Sequence, residues 1–60
     1  MDLKIGDIVK LRSGGPKMIV EAIYTRGDEM EARCAWFVSQ VDRAEHETFN
    51  VKSLTKQEQQ

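Results

Sequence analysis

The stretch IGDIVKLRSGGPKMIVEAIY, residues 5–24, sets two apolar runs on either side of Ser13-Gly14-Gly15-Pro16-Lys17. Asp7–Leu11 is rich in β-branched side chains and bounded by Gly6 before it and by Arg12 and the glycine pair after it, which marks a strand. Lys17–Tyr24, with Met18, Ile19, Val20, Ile23 and Tyr24, marks a second strand. The link between them reads either as a loop that cradles a phosphate or as a sharp turn. An anion nest needs successive glycine N–H groups, here with Lys17 beside them. Pro16 has no N–H to offer, and a strand follows where a phosphate loop would run into a helix. The turn is the better reading: Gly14 or Gly15 supplies a positive φ, and Pro16 fixes φ where the next strand begins. Asp7 is expected to accept a backbone N–H at the entry to the first strand.

Working outward, Gly27-Asp28 is the next turn signal, and Met30–Val38 is a third run that becomes solidly apolar at Cys34–Val38. His46–Val51, around Phe49, predicts a fourth strand, and Asn50–Leu54 a single helical turn leading into a last short strand near Leu54. The polar connection Ser39–Glu45 reads as a loop. Helix competes there, but the apolar positions Val38, Val41, Ala44 and Phe49 keep helical spacing only in the first half. Five short strands predict an all-β fold, a small five-stranded SH3-like barrel with a short helical turn before the last strand. Closure would remove the sheet edges that invite aggregation. Residues 1–56 then form one domain and 57–60 a frayed tail.

Composition narrows the function classes. Sixty residues make one small domain with little interior to enclose an active site. Nine basic against ten acidic residues leave a net charge of −1, without the basic excess that drives most nucleic-acid binding. One cysteine forms no internal disulfide and brings no second thiol to a metal. The opening residues MDLKIGDIV carry acids and no long apolar run, so the chain is expected to be soluble and cytoplasmic.

The elements IGDIVKLRSGGPKMIVE, then CAWF, then ETF and SL, resemble the YodC-like proteins, short bacterial and phage chains of unknown function. The likeness runs over about residues 3 to 54 and is strongest at Gly6–Val9, Ser13–Pro16, Met18, Cys34, Trp36 and Phe37. The opening Gly6-Asp7-Ile8-Val9 also looks like the start of SH3-like barrels of the KOW and Tudor type. The resemblance implies a fold more than an activity. The chain departs from it at VSQVDRAEH, which is longer than the tight turn expected there.

Strand parity sorts the remaining residues. The expected core is Val9, Leu11, Met18, Val20, Cys34, Trp36, Phe49 and Leu54. Ile19, Ile23, Ala35 and Phe37 then form an outer apolar patch. Cys34 reads as a buried, quiet thiol, because Arg33 points to the opposite face. His46, between Glu45 and Glu47, reads as solvent-facing: it lacks the further ligands a metal needs and the nucleophile and pocket a general base needs. Four aromatics are too few for an aromatic cage. No cofactor or metal is expected and the chain is not expected to be an enzyme. The function expected is an interaction module that binds a protein partner, or itself, through the outer patch. The alternative is a nucleic-acid-associated module using Lys10, Arg12 and Lys17, opposed by Asp28, Glu29, Glu31, Glu45 and Glu47.

Overall fold

The computed structural model describes residues 3–57. It is all-β: β1 (Ile8–Leu11), β2 (Met18–Arg26), β3 (Glu29–Val38), β4 (Arg43–Asn50) and β5 (Leu54–Lys56), with a 3-10 turn (Val51–Ser53) before β5. The strands form one antiparallel sheet in the order β4-β3-β2-β1-β5. The sheet is open, since no ladder joins β4 to β5 among the described residues. The expected closure into a barrel is therefore not seen. β5 has three residues and gives them to β1, while the chain between β4 and β5 is taken up by the 3-10 turn.

The Ser13–Lys17 link is a turn, and both of its glycines hold left-handed backbone, with φ of 112° at Gly14 and 113° at Gly15. Gly14 N–H donates to the Leu11 carbonyl at 3.0 Å, so it is spent on the turn and not held out to an anion. Asp7 caps as expected: its Oδ2 accepts from Lys4 N–H at 2.8 Å. The connection after β3 is shorter than its polar sequence implies. Ser39–Asp42 form a tight turn, with Val41 N–H on the Val38 carbonyl and φ of 55° at Asp42. Arg43, Ala44 and Glu45 are already strand, opposite Val38, Phe37 and Trp36. Their polarity, natural on an edge strand, hides them from an apolar pattern.

Six side chains are buried, all at 3 % exposure or less: Val9, Met18, Val20, Ala32, Cys34 and Leu54. A flat single sheet leaves both faces wet, so this burial requires the sheet to curl, with the 3-10 turn crossing to pack on β3. Leu11, Trp36 and Phe49 pack against this core but stay half-buried. Trp36 lies on the inner face opposite Glu45, near the β3–β4 turn, in the row that the register extends from Val9 and Met18. Gln57 belongs with the fold: its N–H donates to the Ile8 carbonyl at 2.8 Å. The rest of the expected tail, 58–60, lies outside the described residues.

Candidate functional site

The β2–β3 ladder slips between Val20 and Ala22, so β2 carries an extra residue there. Val20 faces Cys34 before the bulge, and Ile23 faces Ala32 after it. Both partners are buried, so the bulge turns Ile23 to the inner face. The expected outer patch therefore loses Ile23, and regains its size from a residue not anticipated. Ile8, Ile19, Ala35 and His46 stand in one row across β1, β2, β3 and β4 on the outer face, with Phe37 opposite Ala44 beside it. Ile19 is 43 % and Phe37 62 % exposed, and Ile8 and Ala35 are half-buried. Ile8 was legible by its alternation with Val9. The bulge was not, because an extra residue is a property of pairing.

A charged group borders this row. Arg33 carries one terminal guanidinium nitrogen 3.1 Å from His46 Nδ1 and 3.2 Å from Nε2. A nitrogen equidistant from both ring nitrogens and in their plane would collide with the carbon between them, so the guanidinium lies over the ring face. Arg33 Nε, cut off from solvent, lies 3.5 Å from Glu21 Oε1 and has no hydrogen-bond partner among the described residues. The arrangement holds Arg33 between the bulge and β4 without forming a catalytic triad. Among the described residues no three His, Cys, Asp or Glu side chains converge as metal ligands. Cys34 is enclosed, its Sγ–H donates to the Ala32 carbonyl at 3.7 Å, and burial, then the nearby Glu21 charge, pushes its pKa up. A thiol in that setting is a poor nucleophile.

The three basic residues divide. The β1–β2 register, extended by one step, sets Lys17 beside Lys10 on the outer face. Arg12 turns the other way, to the inner side, where its Nε donates to the Lys52 carbonyl at 3.0 Å. There it lines a cleft of ≈ 250 Å³ with Leu3, Ile23, Met30, Val51 and Lys52, a site the strand pattern did not foreshadow.

Residues 4–54 match the family model described as an uncharacterized small protein, DUF2158. The chain belongs to that family. In this DUF2158 chain the matched span takes in β1 to β4, the 3-10 turn and Leu54, and so both the outer row and most of the cleft. No curated protein and no solved structure matches it. No helix among the described residues is long and apolar enough to cross a membrane.

Proposed function

We propose that this chain is a non-enzymatic interaction module that binds a protein partner, or a second copy of itself, through the outer face of its sheet. The observation that carries this reading is the row Ile8, Ile19 and Ala35, continued by Phe37, on a face that no other layer covers among the described residues. Phe37 at 62 % exposure is an anchor of the kind that fills a partner's pocket. Burying it with Ile19 contributes about 1.5–3 kcal/mol per side chain before the cost of association is subtracted, which suits weak and reversible binding. Lys10, Lys17, Glu21, Arg33 and His46 around the row bring both signs of charge and select among partners more than they add affinity. A phosphate backbone would have no use for the apolar row.

The strand order β4-β3-β2-β1-β5 and the 3-10 turn before the last strand also support an SH3-like, YodC-like assignment of the fold. A β4–β5 contact that closes the sheet, read as cross-strand amide NOEs, would sustain it, and their absence would remove it.

The functional test is Phe37→Ser, with sedimentation over a range of concentrations and capture of partners from the native host. Loss of self-association or of a captured protein, with the fold kept, is the expected result. A wild-type chain that stays monomeric and captures only nucleic acid, released by salt, would replace this reading with the nucleic-acid one.

A further inference from the structure

We propose that the inner-side cleft is a binding site for a small aliphatic monocarboxylate, an apolar chain ending in one carboxylate. The site is separate from the outer row and does not rest on it. Four of its six lining residues, Leu3, Ile23, Met30 and Val51, are apolar, and the other two, Arg12 and Lys52, are cations. The Glu21 bulge is what turns Ile23 into this cleft.

Arg12 is held by its side chain and Lys52 by its backbone. Arg12 N–H donates to the Ser53 carbonyl at 2.8 Å and its Nε to the Lys52 carbonyl at 3.0 Å, which fastens the residue to the 3-10 turn and leaves the other guanidinium N–H groups for a ligand. The turn is itself capped, with Asn50 Oδ1 accepting from Lys52 N–H at 2.9 Å. Lys52 Nζ lies 3.8 Å from Glu29 Oε2, but that pair is exposed, and Glu29 also accepts from Asn50 Nδ2 at 2.7 Å. An exposed pair at that distance offsets little of the lysine's charge. A tethered guanidinium and a mobile ammonium on one rim, in a chain of net charge −1, make a local field that selects an anion.

The floor then decides which anion. An inorganic ion or a nucleic-acid phosphate covers none of the four apolar side chains. A carboxylate with a hydrocarbon body covers them, and the planar guanidinium fork matches its two oxygens. At the packing density of protein interiors, ≈ 250 Å³ takes a chain of roughly eight carbons with its head group, and no further chain need lead away from it.

The test is a methyl and amide NMR titration of the full chain with sodium octanoate, against 1-octanol and octylammonium chloride. Shifts confined to Leu3, Ile23, Met30, Val51 and the 3-10 turn are expected, with octanoate binding roughly tenfold more tightly than the alcohol, as a charge-assisted contact implies, and the ammonium weakest. Arg12→Gln and Lys52→Gln should each bring octanoate towards the alcohol's affinity and leave the alcohol unchanged. Lys52, whose side chain is 78 % exposed, is the variant that decides if Arg12→Gln loosens the turn. Equal binding of acid and alcohol, shifts spread over Ile19 and Phe37, or no effect of Lys52→Gln would overturn the proposal. Tighter binding of N-acetyl-leucine than of octanoate would overturn it in favour of a peptide end.

Discussion

β4 and β5 are the two edges of one sheet, and they divide its labour unevenly. β4 is eight residues long, pairs with β3 along its whole length, and has no buried residue. β5 is three residues long and carries Leu54, which is fully buried against Val9, Val20 and Cys34. The ladder and the core are thus in different places. Backbone hydrogen bonds contribute little net free energy each, because water offers the same bonds to the unfolded chain, whereas apolar area removed from water is gained outright. The inner-facing residues of β4 are Arg43, Glu45, Glu47 and Phe49, three of them charged, which also blunts that edge against other strands. Length of strand says how a region is held in shape; burial says where stability lies.

Leu54→Ala should therefore do the most damage, about 2–5 kcal/mol, a large share of what a chain this small has. Urea denaturation measures it. Phe49→Ala, from the long edge, should cost less, and the reverse order would break the comparison. Trp36→Ala comes next, because the ring is only half-buried: about 1.5–3 kcal/mol, below the cost of emptying a sealed aromatic site. Near-complete unfolding in that variant would show that the turn end of the β3–β4 hairpin is better covered than its exposure indicates.

Phe37→Ser should change stability by no more than about 0.5 kcal/mol, as surface substitutions do, so that a loss of binding in the same variant reads as a loss of contact surface. A large drop in melting temperature would place Phe37 in the core instead. The smallest effect is at Glu29, whose carboxyl is held below its ordinary value of 4.5 chiefly by the Asn50 hydrogen bond and then by the Lys52 charge. A depressed carboxylate contributes stability above its unfolded pKa and loses it as pH falls through the folded one, so this contribution disappears below about pH 4.5. Asn50→Ala should move the Glu29 titration, followed by NMR, back towards 4.5 and flatten that part of the acid limb.

Much of this was legible residue by residue. Gly14, Gly15 and Pro16 announced the first turn, and alternation placed Val9, Met18, Val20, Cys34 and Leu54 inside. Ala32 was missed because a small side chain in Glu31-Ala32-Arg33 carries no apolar signal, yet opposite Phe49 and Ile23 it is sealed. Ile19, Ala35 and Phe37 were legible as outer residues by parity alone. Ile23 was not, since parity holds only while the ladder is regular, and Glu21 gives no local sign that it interrupts one. The cleft was hidden for a related reason: Leu3, Arg12, Met30 and Lys52 meet only because the turn before β5 crosses the sheet.

The β1–β5 ladder sets Val9 against Lys56 and Leu11 against Leu54, joining segments from near the two ends of the described chain. The β2–β3 and β3–β4 hairpins pair near neighbours and cost little loop entropy to start, but the pairing that buries Leu54 must wait until almost everything between has been ordered. On the ribosome the hairpins emerge with their apolar inner sides uncovered, and only the arrival of β5 lets β1 take it as a neighbour and seal them. The short strand β5 is what turns a curled ribbon into a folded protein.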